Sequence, residues 1–304
     1  MIGTGDSFHT STRAYGRAAA ALLSLILLLL PACQRESAQP ETVQETAVRE
    51  YRIPEGWNEL HLETLRLFTE GQRAESTAML EGFIERHPDF ADAHFSLAAN
   101  HEFIALEMKG DPGQASERKR HLEEAIEHYE RFRELKSDPE DRAQGSQLLV
   151  DLYGPDGLGR VDEAVAFARQ YVVERPTIPA GHAKLARMLR WQGSHDAGTD
   201  VLLEALLRFP PNERDSDLND ELVAHVQETP QLPRAAAERL LAEALSAAER
   251  QIAVPSTQGM GMLAKSRALH AAAERIEQNP DRQRELAAEA ERLGEEGLAL
   301  LLQK

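Results

Sequence analysis

Two stretches of this chain echo each other. Glu85–Ala98 reads ERHPDFADAHFSLA and Glu174–Ala186 reads ERPTIPAGHAKLA. Each runs Glu-Arg, a proline, a short link, then a helix-like segment ending in Leu-Ala. Pro176 and Pro210 stand 34 residues apart. A period of that length constrains the fold more than composition does. One repeat is a single supersecondary unit that cannot bury its apolar face alone, so neighbours must stack on it.

The units are helical. From Trp57 onward apolar residues recur three and four apart, Ala, Leu, Glu and Arg dominate, and period-two alternation is absent. Breaks fall at Gly71, His87-Pro88-Asp89, Gly110-Asp111-Pro112-Gly113, Asp138-Pro139, Gly154 to Gly159, Arg175-Pro176, Gly193 and Phe209-Pro210-Pro211. The spacing predicts short α-helices in pairs.

Numbering one unit from Pro179 puts Leu185 and Ala186 at positions 7 and 8, Gly193 at 15, Gly198 at 20, Leu202 at 24, Ala205 at 27 and Pro210 at 32. This resembles the tetratricopeptide repeat, which wants small residues at 8, 20 and 27 and proline at 32. Small residues sit where the paired helices cross closely, the glycine makes the turn, and the proline stops the second helix. The resemblance implies an all-α, TPR-like superhelix of antiparallel helix pairs.

Other units match less fully. From Trp57, Gly71, Leu80 and Pro88 fall at 15, 24 and 32, but Thr64, Ser76 and Phe83 replace the small residues. The next first helix, Ala91 to Leu106, carries Leu97 and Ala98, and its partner HLEEAIEHYERFREL follows an insertion around Gly110–Gly113. A further unit pairs a helix ending near Tyr153 with VDEAVAFARQYVVERP, across the longer loop GPDGLGR. Four units are expected over 57–212. After Asn212 the period fades, and helices are expected at 217–228, 234–253, 262–278 and 281–302. Residues 213–304 read as a helical capping region or as degenerate repeats, since an array needs its last apolar face covered.

The N-terminus reads differently. Arg13 and Arg17 precede an apolar run from Ala18 to Leu30, thirteen residues against the roughly 20 needed to span a bilayer. This is the order of a secretory signal, with the chain's single cysteine behind it. Leu30-Pro31-Ala32-Cys33 resembles a bacterial lipoprotein signal, although Pro31 departs from that pattern. The resemblance implies cleavage of residues 1–32 and lipidation of Cys33, and Gln34 in place of Asp favours the outer membrane, facing the periplasm. A lone cysteine makes no intramolecular disulfide, and acylation gives it a use. Residues 33–56 are polar and proline-punctuated, a flexible tether.

Net charge is −17 for the whole chain. That acidity argues against nucleic acid or anionic lipid as a partner bound through a general basic field. Histidines invite a metal: His94 and His101 are seven apart, as are His121 and His128, with Glu124 on the latter face. Neither His-Glu-x-x-His nor Glu-x-x-His is present, so interhelical or solvated histidines are expected, with no metal and no cofactor. GMGMLA (Gly259 to Ala264) matches a dinucleotide fingerprint, but no strand precedes it, and it reads as a flexible linker. No phosphate loop and no Gly-x-Ser-x-Gly occurs. An enzyme is not expected, nor a small-molecule substrate.

In the family resembled, first helices line a concave groove. The equivalent positions here are Lys184, Arg187, Arg190 and Trp191, then Phe95 and Glu102, and His61 and Phe68. This implies an interaction module holding a protein or peptide at the envelope, with an acidic or C-terminal peptide suited to the cations. Such lipoproteins resemble assembly and scaffolding factors of pilus, outer-membrane-protein or cell-wall machines. Phe68 and Trp191 also suit plain packing. A C-terminal enzyme or metal site, and a self-associating structural role, stay open.

Overall fold

The computed structural model describes residues 53–302. The expected signal segment, Cys33 and the tether up to Arg52 lie outside the described residues. Among those described, every regular element is helical and no strand occurs. The helices are α1 (Trp57–Thr69), α2 (Arg73–Ile84), α3 (Ala91–Glu107), α4 (Ala115–Leu135), α5 (Pro139–Tyr153) and α6 (Val161–Glu174). They continue as α7 (Pro179–Trp191), α8 (His195–Arg208), α9 (Ser216–Glu228), α10 (Arg234–Ile252), α11 (Gln258–Arg275) and α12 (Pro280–Leu302). A 3₁₀ turn, Pro112–Gln114, leads into α4.

Local chemistry sets the ends. Asp138 accepts a bond from the Glu140 amide and Pro139 opens α5, while Asp215 caps α9 through the Leu218 amide. Two hairpin turns are built identically. Gly71 and Gly193 adopt φ of 78° and 83°, each followed by an amide that reaches five residues back, Gln72 to the Leu67 carbonyl and Ser194 to that of Leu189, both at 2.8 Å. That is the glycine-terminated helix end, with orphan carbonyls satisfied.

From α1 to α8 each helix packs on the next. Then α9 lies mainly against α7, α10 to α12 again pack in order, and α11 also touches α9. The result is a TPR-like stack of antiparallel helix pairs, the fold class expected from the period. Small residues occupy the crossings. Ala186 and Ala205 are fully buried, and a Cβ on Gly198 would lie 3.3 Å from the Ala186 carbonyl oxygen. In the first pair the polar substitutes bond instead: Ser76 Oγ donates to the Thr64 carbonyl at 3.1 Å and accepts from Asn100 Nδ2 at 2.8 Å.

The buried apolar residues follow chain order, from Trp57–Leu97, through Ala98–Leu189, to Ala183–Ala271 and the terminal Leu269–Leu293 group. One cluster joins Leu202, Leu206 and Phe209 to Leu218, Leu240 and Ala268, so the core continues through position 212. The linker expected at GMGMLA is instead the start of α11. Its glycines serve close helix packing: a Cβ on Gly261 would meet the Ile252 nitrogen at 2.6 Å, and one on Gly297 the Gly259 oxygen at 2.8 Å. Among the described residues no helix is long and apolar enough to cross a membrane.

Candidate functional site

Lys184, Arg187 and Trp191 are spaced three and four apart on α7, which puts them on one face. The cations there are not free. Lys184 Nζ donates to Asp151 Oδ2 of α5 at 2.6 Å. Arg187 Nε donates to Glu221 Oε2 of α9 at 2.9 Å, and Arg190 Nε donates to Glu221 Oε1 at 3.1 Å. A second Arg190 nitrogen bonds Glu228. The face is therefore a ribbon of alternating charge across the first helices α5, α7 and α9, and the partner carboxylates Asp151, Glu221 and Glu228 were not singled out from the sequence. Their signal was available: Arg187 and Glu221 differ by one repeat period.

Burial pushes the Glu221 carboxyl above its ordinary range, and the two guanidiniums pull it back. Burial works against the Arg187 charge, but Glu221 outweighs it and raises the guanidinium pKa. The Arg190 side chain is 5% exposed, against 57% for Asp151 and for Glu228. Trp191 is 40% exposed, with the Arg190 guanidinium 5.9 Å from its ring centroid. Carboxylates and an indole thus carry the accessible chemistry of this face.

Of the remaining groove candidates, Glu102 adjoins that ribbon and the others pack against neighbouring rings. Glu102 of α3 accepts from the Tyr129 hydroxyl at 2.9 Å, and burial pushes its carboxyl up to about 7. It feels the charges of Asp151 and Lys184, which extends the ribbon by one helix pair. Phe95 packs against Tyr129 and Phe132, with ring centroids 5.5 and 5.1 Å away. His61 stacks on Trp57 at 5.1 Å, and burial lowers its pKa. Phe68 is buried, edge-on to Phe103. Phe95, His61 and Phe68 are packing residues in this arrangement.

Four histidines meet between α3 and α4. His94 Nδ1 lies 3.0 Å from His128 Nδ1, and His101 Nδ1 lies 2.9 Å from His121 Nδ1. His94 Nε2 reaches the Pro88 carbonyl at 2.9 Å. Burial lowers all four pKa values, that of His101 to about 4. Glu124 Oε2 completes a triangle with His101 and His121, at 3.1 and 3.4 Å from their Nδ1 atoms. Its other oxygen accepts from Arg120 at 2.8 Å.

No family model matches the chain, and no curated protein matches it. Among solved structures it is similar to the crystal structure of PilW, described as a widely conserved type IV pilus biogenesis factor. The identity is 16% and the TM-score 0.48, over 79% of this chain and 94% of that one. A likeness of this size carries no argument about what this chain binds.

Proposed function

We propose that this chain is a lipid-anchored interaction module of the bacterial envelope, a scaffold or assembly factor that holds a protein partner without any covalent step. The observation that carries the reading is the charged ribbon on consecutive first helices. It joins α5, α7 and α9 through named ion pairs, and it leaves Asp151, Glu228 and Trp191 accessible at its edges. Exposed aromatic side chains beside polar groups are the usual anchors of protein interfaces.

The accessible chemistry refines the kind of partner. Lys184, Arg187 and Arg190 already hold internal carboxylates, so an acidic peptide would have to displace these. A segment bringing its own Lys or Arg, with an apolar side chain for Trp191, fits the face directly. Anchoring rests on the Leu30–Cys33 pattern, with outer-membrane attachment facing the periplasm as its extension. Several acyl chains hold a protein at a membrane without a spanning helix.

The test is capture from detergent-solubilised membranes with wild type and Asp151→Asn/Trp191→Ala as baits. Both replacements are at exposed side chains, so the fold is kept, and melting curves verify this. A partner held by wild type and lost by the variant is the expected result. Equal capture by both moves the site off this face.

A further inference from the structure

We infer that His101, His121 and Glu124 form a binding site for one divalent transition-metal ion of the zinc class, bridging α3 and α4. The site is distinct from the charged ribbon and stands whether or not the scaffold reading does. Its three ligand atoms, His101 Nδ1, His121 Nδ1 and Glu124 Oε2, converge on one point, with edges of 2.9, 3.1 and 3.4 Å. Around an ion with bonds near 2.0–2.1 Å, tetrahedral ligand atoms lie roughly 3.3 Å from one another. The triangle needs little adjustment to accept such an ion.

Hydrogen bonding alone does not account for the triangle. Arg120 Nη2 donates to His121 Nε2 at 3.1 Å, which puts the proton of neutral His121 on Nδ1. That proton goes to His101 Nδ1 or to Glu124 Oε2, never to both. With the Glu124 carboxylate ionised, every assignment leaves one edge with two lone pairs, or two protons, facing each other. Glu124 Oε2 is itself buried with no hydrogen-bond partner. A cation satisfies all three atoms together.

The neighbouring histidine pair shows the contrast. His94 gives its Nε2 proton to the Pro88 carbonyl and accepts at Nδ1 from His128, so one proton satisfies that contact. No carboxylate joins it. The metal triangle differs by that one carboxylate, which His121 and Glu124 present together because they are three apart on α4.

Binding requires one local change. The His121 proton moves from Nδ1 to Nε2, and Arg120, 56% exposed, leaves Nε2 while keeping its bond to Glu124 Oε1. Arg120 then orients the ligating carboxylate from outside. Two imidazoles and a carboxylate suit zinc, and three protein ligands leave the fourth position to water or to a ligand from a partner.

The purified full chain in detergent, without a polyhistidine tag, is titrated with ZnCl2 against a chromophoric chelator. CoCl2 is then added in place of zinc and read by d–d absorption. One ion per chain is expected, with the strong cobalt absorption of a four-coordinate site. Glu124→Gln and His101→Gln should each weaken binding by more than about tenfold, and His94→Gln by far less. Glu124 is partly exposed and Gln keeps its shape, so loss of fold does not confound that variant. The site is refuted by zinc binding well below one ion per chain, by unchanged affinity in Glu124→Gln, or by the weak cobalt spectrum of a six-coordinate ion.

Discussion

Arg187 and Glu221 are 34 residues apart in the chain and 2.9 Å apart in the fold. One repeat period brings equivalent positions of neighbouring first helices side by side, so charges one period apart become partners. Glu221 is almost fully buried, and it takes a second guanidinium from Arg190. This carboxylate ties α9 to α7 on the first-helix face.

Glu221→Gln should cost about 3–5 kcal/mol of stability, because removing one member of a buried ion pair leaves the other charge uncompensated. Arg190 would retain only exposed Glu228. Urea unfolding followed by circular dichroism measures this. A loss below about 1 kcal/mol would mean that the pair does not hold the two helices together.

The fold was legible because its signals are local and periodic. Pro176, Pro210, Gly193 and Ala186 each mark a turn, a stop or a crossing, and the helix pairs follow from them. The face was legible only in part. Position within the repeat located Lys184 and Arg187, whereas Asp151 and Glu221, which neutralise them from other helices, are found only by comparing positions about one period along the chain. GMGMLA was misread because glycines suggest a linker when no partner helix is in view. In the fold, Gly259 and Gly261 are small because α12 and the end of α10 approach their backbone. The histidines illustrate the same limit: no motif spacing marks His101 with His121, since the insertion before α4 sets their register.

Acid should weaken the fold through His225. Burial holds its pKa down to about 4, with Arg190 adding to the effect. The unfolded chain therefore takes up a proton that the folded one refuses between about pH 6.5 and 4, so stability is full above that window and falls as pH drops through it. After allowance for solvent screening the loss is on the order of 2 kcal/mol. His225→Gln should flatten the curve of melting temperature against pH in this window. An unchanged slope would remove His225 as its cause.

Two glycines should respond in opposite senses. Gly261→Val drives side-chain atoms into the backbone of Ile252, which cannot swing aside, and should cost about 2 kcal/mol or more. Gly82→Ala meets nothing within 4 Å in the interior of α2 and should add about 0.5–1 kcal/mol. Thermal melts of the two variants compare them directly. Equal effects would contradict the close packing assigned to α11.

Trp191→Ala should cost no more than about 1 kcal/mol of stability, since the indole is 40% exposed. Chemical denaturation reads this. A larger loss would make Trp191 a packing residue and not a contact for partners.

The proposed partner lies on the first-helix face. Site-specific photo-crosslinking in intact cells reads that contact. A crosslinker replaces Trp191 on α7 in one version of the chain, and Val173 in another. Val173 is 78% exposed on α6, a second helix. A discrete protein adduct from position 191 and none from 173 is the expected result. The same adduct from both positions, or one from 173 alone, would contradict it.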